Sequence, residues 1–351
     1  MLDRIKSVSE KIEKYFLGYK SDTGLAISEK HRQVLEDHGL TPTRELRNAG
    51  FHDVISRVLI GADVIQCTNN QGVESVAHLT EGLVSGRTLA SEARIAQAVA
   101  GIDFCSDNGW LVKFPESVNL FKDGKSTLTV YPFYQGDNGE IFTKQYSDED
   151  LTKVGMAVLT GMESMYQQLD PVRKKILEAN GRKVGPVLSG GRQVIGQWLK
   201  MKGLLTAKEV DGLLTAQQMA SQLAKSSSPR LIHHDLHTFN VIPNPDTKNI
   251  VVVDLAMLSV GQSFADFGRW LTFLLIADRK NAMLQLENRL LDKGIITRDG
   301  LQCAKAGALI DWGRELTERP KAEDVVTSQR VEAGKRLWRE EVNHILNPPA
   351  R

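Results

Sequence analysis

Several features that mark specialised protein classes are scarce or missing in this chain. Only three cysteines, Cys67, Cys105 and Cys303, occur in 351 residues. The number is odd and the gaps are wide, so neither a disulfide framework nor a zinc knuckle is supported, and a reducing cytoplasm is the expected compartment. Each thiol reads most simply as a small core or surface residue. Long apolar runs are also missing: Phe273 to Ala277 and Ile250 to Val253 are among the longest, far short of the roughly 18 residues a membrane helix needs. The first residues, MLDRIKSVSEKIEKYF, lack the continuous apolar core and small-residue cleavage site of a signal peptide. They read as an amphipathic helix carrying Leu2, Ile5, Val8, Ile12 and Phe16 at helical spacing. Finally, 44 basic side chains face 43 acidic ones for a formal charge of +1, so no global field steers nucleic acid or an anionic membrane, and neither is an expected partner. There is no internal repeat and no low-complexity tract.

What is present is ordinary globular material, 41% hydrophobic and 25% charged, long enough for two or three compact units. Residues 1–45 are helix-patterned and end at Gly39-Leu40-Thr41-Pro42, where Pro42 cannot continue a helix; they read as an N-terminal helical extension. Residues 46–135 are β-rich. Val54 to Ile60, Asp63 to Cys67, Val76 to Thr80, Trp110 to Phe114 and Thr127 to Phe133 carry the β-branched and aromatic residues of strands. One helix, from about Arg87 to Ala100, interrupts them and stops before Gly101, a C-cap position. Residues 136–351 are mainly helical, beginning with Ser147 and Asp150 spaced as a capping box before Leu151, Val154, Val158, Met162 and Met165. Within this half, Leu231 to Ile232, Asn240 to Ile242 and Ile250 to Asp254 form an island of β-type residues, broken by the turn-rich Pro243-Asn244-Pro245-Asp246.

The island holds the most informative stretch, His233-His234-Asp235-Leu236-His237-Thr238-Phe239-Asn240, followed 14 residues later by Asp254 at the end of an apolar run. A carboxylate and an amide five positions apart can share a site with a second carboxylate from the next strand. Phosphoryl transfer from a nucleotide needs such a set: one carboxylate to orient or deprotonate the attacking hydroxyl, and oxygen ligands to hold Mg²⁺ on the phosphates. The competing reading makes Asp235 and Asn240 turn residues and the histidines members of a polar core.

The pattern His-x-Asp-Leu-His-x-x-Asn, with Asp254 after a strand and Asp266 twelve residues further on, resembles the catalytic and metal loops of the aminoglycoside phosphotransferase and choline kinase group. The resemblance implies an α+β, two-lobed protein-kinase-like fold, with a small antiparallel β lobe holding one helix and a larger, mainly helical lobe. It implies that Asp235 is the catalytic base, that Asn240 and Asp254 bind Mg²⁺, that His233 braces the loop, and that Asp266 stabilises the lobe behind it. The family has a small residue, usually Gly, where His234 stands, a mild departure. Small-molecule kinases of this resemblance carry His two residues after the catalytic Asp, where Ser/Thr protein kinases carry Lys; here it is His237.

In the β-rich part, Leu89, Glu92, Ala96 and Val99 fall on one helix face, where a carboxylate needs a partner unless it snorkels to solvent. In the resembling family this position pairs with a strand cation that holds the nucleotide phosphates. No lysine stands in the expected slot. His78 and Arg57 are the candidate cations, and Ala49 to Asp53 and Asn69 to Gly72 the candidate phosphate-covering turns. Leu128 to Gly136 resembles the hinge that holds an adenine edge; Tyr131 and Phe133 are its candidate contacts, and since Pro132 has no N–H, any donated bond must come from Phe133 or Gln135. Between Pro171 and Lys225, ten basic residues face three acidic ones, which suits an anionic acceptor unless the charges simply fan into solvent.

These readings converge on an ATP- and Mg²⁺-dependent kinase of a small hydroxylated molecule. The alternatives are a nucleotide-binding pseudokinase, suggested by the missing lysine, or an atypical protein kinase.

Overall fold

The computed structural model describes residues 29–45, 62–80, 83–116, 118–123, 126–137, 139–318 and 325–347. The expected helix near the start of the chain, the expected strand Val54–Ile60 with Arg57, and the turn Ala49–Asp53 lie outside the described residues. In chain order the described elements are α1 (Glu29–Asp37), β1 (Leu40–Glu45), β2 (Ala62–Asn69), β3 (Glu74–Thr80), α2 (Leu83–Val99), β4 (Asp103–Cys105), β5 (Leu111–Lys113), β6 (Asn119–Asp123) and β7 (Ser126–Pro132). They continue as α3 (Gly139–Gln145), α4 (Asp148–Gln167), α5 (Pro171–Met201), α6 (Ala207–Leu223), β8 (Arg230–Ile232), β9 (Val241–Asn244), β10 (Asn249–Val252), β11 (Ser259–Gly261), α7 (Ala265–Ile276), α8 (Lys280–Asp292), α9 (Arg298–Glu318) and α10 (Val325–Leu346). The chain forms two compact units, the smaller from its start to Ala93 plus Val118–Phe133, the larger from Arg94–Ser117 plus Tyr134 onward.

The smaller unit is an antiparallel sheet in the order β1-β2-β3-β7-β6. Its register follows from alternation. Ala77 and Leu79 on β3, Ile65 and Cys67 on β2 and Leu128 on β7 point to one face, where they pack with Val34 and Leu35 of α1, as a period of two requires. Residues 40–45, expected within a helical extension, instead form the edge strand β1, paired with β2 from Leu40↔Asn69 to Glu45↔Ile65. Pro42 is tolerated there because the register shifts between Pro42 and Arg44, and edge positions and bulges are where a residue without an N–H fits. Asn69 to Gly72 forms the β2–β3 hairpin turn: Asn69 Oδ1 accepts from the N–H groups of Gln71 and Val73, both at 2.9 Å, and Gly72 has φ +77°.

In the larger unit, α4 starts as its spacing predicts. Ser147 Oγ accepts from Asp150 N–H at 3.1 Å, and Leu151, Val154, Val158, Met162 and Met165 are all buried. A four-stranded sheet runs β4-β5-β10-β9. Its central strand β10 buries Ile250, Val251 and Val252 and pairs in parallel with β5, a partner far away in sequence. β8 and β11 form a separate antiparallel pair. The helical core gathers Phe273 and Ile276 of α7, Leu309, Trp312 and Leu316 of α9, Val210 and Leu213 of α6, and Trp338 of α10.

Helix α7 is buried from Asp266 to Ile276, and its closeness to α9 depends on one missing side chain. A Cβ on Gly268 would collide with the backbone of Ala304 and Lys305. Gly268→Ala is therefore expected to destabilise the fold by about 1–3 kcal/mol, the usual cost of overpacking. The check is urea unfolding, with a lower midpoint at unchanged slope.

Candidate functional site

The loop from His233 to Asn240 leaves β8 and enters β9, and its backbone is held from behind by one carboxylate. Asp266, at the start of α7, accepts the His233 N–H on Oδ2 and the His234 N–H on Oδ1, both at 2.8 Å. One buried and one part-buried donor are thereby satisfied by one acid. His233 lies fully buried and donates from Nε2 to the Val253 carbonyl at 2.8 Å, tying the loop to the end of β10. The loop is thus held at its start by Asp266 and to β10 by His233.

Asn240 closes the loop. Its Nδ2 donates to the Asp235 carbonyl at 2.8 Å, its N–H donates to His237 O at 3.0 Å, and its carbonyl accepts from Val253 N–H at 3.0 Å. With the amide nitrogen turned to Asp235, the Oδ1 of Asn240 faces the other way. The residue after Val253 is Asp254, exposed and in the left-handed conformation, φ 58° and ψ 61°. Asn240 and Asp254 therefore sit on segments joined by a backbone hydrogen bond. One amide oxygen and one carboxylate suit an oxygen-preferring dication such as Mg²⁺, which normally fills its remaining positions with phosphate oxygens and water. Among the described residues no cluster of three or more His, Cys, Asp or Glu side chains could hold a metal by itself.

His237 is buried beneath the loop. It stacks on Phe273 with ring centroids 5.3 Å apart and meets Trp312 edge-on at 5.6 Å. Its Nδ1 accepts from Phe239 N–H at 3.2 Å, which puts the ring proton on Nε2, 3.6 Å from Asp235 Oδ1. The closer partner of that carboxylate is one the sequence reading missed. Arg269 Nη2 lies 2.5 Å from Asp235 Oδ1 and also 3.1 Å from Glu315 Oε1, while its Nη1 is 3.6 Å from Asp311 Oδ2. Burial opposes the charge on Arg269, but the carboxylates of Asp235, Glu315 and Asp311 outweigh it and raise its pKa further. Its trace in the sequence was a lone base in the apolar run Phe267 to Ile276.

The basic segment from Pro171 to Lys225 is mostly exposed. Arg182 is 81% exposed and reaches only Glu178; Lys175 and Lys183 are exposed. Arg173 pairs with Asp170, and Lys174 covers the Tyr166 ring at 4.4 Å. Of the ten basic residues in this segment, Arg192 turns inward, where its guanidinium grips Asp311 at 2.8–3.2 Å. A long helix whose middle buries little directs its long side chains to water, and the inward Arg192 is already neutralised.

In the smaller unit, Glu92 is 7% exposed, which sets aside the snorkelling alternative. His78 pairs across the sheet with Val64 and Thr129 and packs on Tyr131 at 5.1 Å. Burial pushes its imidazole down to about 4, so it is neutral near pH 7 and lacks the charge expected of a phosphate-binding cation. The Phe133 N–H donates to Glu74 O at 3.3 Å within the sheet.

His234 is a larger departure than its sequence suggested. It has φ 67°, the left-handed region that costs a residue with a Cβ about 1–2 kcal/mol. Its Nε2 shares a 2.8 Å hydrogen bond with Ser259 Oγ, which offsets part of that cost, and burial pushes the ring down to about 4, so it is neutral there. His234→Ala should lose the bond and keep the strain, whereas His234→Gly loses the bond and relieves the strain. Chemical unfolding of both variants is expected to rank Gly above Ala by about 1 kcal/mol; the reverse order would contradict this account.

Comparison with known proteins gives the fold and the family. No curated protein sequence matches the chain. Among solved structures, the GDP and kanamycin complex of APH(2")-IIia is similar with a TM-score of 0.54 at 15% identity, over 88% of this chain and 96% of that one. The gentamicin complex of APH(2")-IIa has a TM-score of 0.52 at 11% identity, over 93% and 97%. At such identities the likeness is one of fold: an α+β, two-lobed protein-kinase-like architecture with a small antiparallel lobe and a larger helical one. The family model described as the phosphotransferase enzyme family, APH, matches residues 83–292, a span that holds both the Glu92 helix and the whole 233–269 site. With more than half of its length matched, the chain belongs to this phosphotransferase enzyme family.

Proposed function

We propose that the protein transfers the γ-phosphoryl group of ATP to a hydroxyl of a small molecule, with Mg²⁺ on the phosphates. The observation that supports this best is the common frame of Asp235, Asn240 and Asp254: the Asn240 amide donates to the Asp235 carbonyl at 2.8 Å, and the Asn240 carbonyl accepts the N–H of Val253, the neighbour of Asp254, at 3.0 Å. A base and two oxygen ligands on one frame, in a member of a phosphotransferase family, are what positioning catalysis of phosphoryl transfer requires.

In this reading Asp235 orients the acceptor hydroxyl and receives its proton. His233 keeps the loop on β10. Asn240 Oδ1 and the Asp254 carboxylate hold the metal, which when bound neutralises charge on the phosphates. Glu92 organises the phosphate-binding cation of the small lobe; with His78 neutral, Arg57 is the cation that the sequence leaves for that role. Tyr131 contacts the adenine. The acceptor is a hydroxylated small molecule.

A thermal-shift titration with ATP and GTP, with and without Mg²⁺, tests nucleotide and metal together. Mg²⁺ is expected to enlarge the stabilisation by ATP, and Asp254→Ala to remove that enlargement, since it deletes the charged ligand. Equal shifts with and without Mg²⁺ in both proteins would sink the metal assignment. For the base, Asp235→Asn is expected to keep the ATP shift while lowering phosphoryl transfer to pooled hydroxyl metabolites by about 10²–10⁴; a variant as active as the parent removes Asp235 from the reaction.

A further inference from the structure

We infer that Arg269 is a positioning residue for this reaction, acting through Asp235: it fixes the carboxylate that meets the acceptor, and Asp311, Glu315 and Trp312 fix it in turn. The inference rests on the role proposed for Asp235.

Asp266 immobilises the loop backbone at His233 and His234, but a backbone so held still lets the Asp235 side chain turn about its own torsions. A group on the carboxylate itself is needed. His237 Nε2, 3.6 Å from Oδ1, is beyond hydrogen-bond range. Arg269 Nη2 lies 2.5 Å from the same oxygen in a direct ion pair. The guanidinium is itself held at its two terminal nitrogens and across its plane. Glu315 takes Nη2 at 3.1 Å, Asp311 lies 3.6 Å from Nη1, and the Trp312 ring lies against the plane with Cζ 4.3 Å from its centroid. Asp311 is further anchored by the fork of Arg192. The planar guanidinium reaches two carboxylates from one rigid group, which a lysine could not do. Three carboxylates and two guanidiniums meet here, so Arg269 is committed to the chain's own acids and is not a receptor for an anionic acceptor. Asp266 and Arg269 are three residues apart on α7, so one helix face holds the loop twice, by its backbone and by its carboxylate.

The test uses the full chain and Mg-ATP with water as acceptor. Water oxygen bonds to the γ-phosphorus, the bond to the β-phosphate bridging oxygen breaks, ADP leaves, and inorganic phosphate is measured. The variants are Arg269→Lys, Arg269→Met, and Arg269→Met combined with Glu315→Gln, which removes one charge of each sign and spares the fold an unpaired acid. Well below its melting transition, the double variant is expected to lose about 10²-fold in kcat, the effect of a displaced catalytic group, while its KM for ATP stays within about twofold. Arg269→Lys should recover part of the loss. A double variant with parental kcat, in a protein whose phosphate release still depends on Asp235, overturns the positioning role and leaves the reading of Asp235 standing. Parental release by Asp235→Asn overturns both. If the Met variants do not fold, Arg269→Lys decides: a kcat loss of about tenfold or more at unchanged ATP KM supports the role, and an unchanged kcat overturns it.

Discussion

The Asp266 carboxylate accepts the buried N–H of His233 and the part-buried N–H of His234. Much of the rest depends on that pair of bonds. Unsatisfied, each donor would cost about 1–3 kcal/mol, so the loop has one stable course. That course fixes where Asp235 emerges, forces His234 into the left-handed region, and leaves Asn240 close enough to bond both Asp235 and Val253. The acid can do this only if α7 starts at that place. Gly268 permits the required closeness to α9, and the buried face of α7 keeps it there.

Helix α9 ties this arrangement to the rest of the larger unit through charges held out of water. Besides Asp311 and Glu315, it carries Lys305, 4% exposed, which lies 2.6 Å from Glu341 of α10 and 3.4 Å from Glu287 of α8. Buried ion pairs add little net stability over apolar packing of the same volume, but breaking one costs about 3–5 kcal/mol. Their effect is therefore on geometry: sliding α7, α8 or α10 along α9 separates a charge from its partner. The site is built against a helix whose register is set in this way, which suits a reaction that depends on positioning.

Much of the architecture was legible because it rests on periodicity. The alternation in β2, β3 and β7, the capped start of α4, the stripe of α2 with Glu92 buried in it and the Gly101 stop all follow from patterns of two and of about 3.6 that local backbone geometry imposes. The assignment of residues 40–45 to a helical extension failed because Pro42 was read as a helix stop, and a proline that ends a helix is equally at home on the edge of a sheet. The basic segment shows what a count along the chain leaves open. Charge can be counted along a chain, but whether a lysine on a helix faces a cleft or water depends on what packs against the other face, and α5 buries only Leu177, Asn180, Gly196 and Leu199.

The sequence by itself determined the local chemistry of the site: the order His233, Asp235, Asn240, Asp254 and Asp266, the strands that bracket them, and through these the family. Tertiary structure alone decided what surrounds Asp235. In the sequence, Asp266 and Arg269 stand three apart, a spacing at which opposite charges on a helix surface can pair. In the fold they part, the acid taking two backbone N–H groups and the base taking the Asp235 carboxylate together with Glu315 and Asp311 from α9. A charge pairs with whatever opposite charge lies nearest once water is excluded, and that partner comes from a helix more than forty residues further along the chain, at a separation where no spacing rule applies.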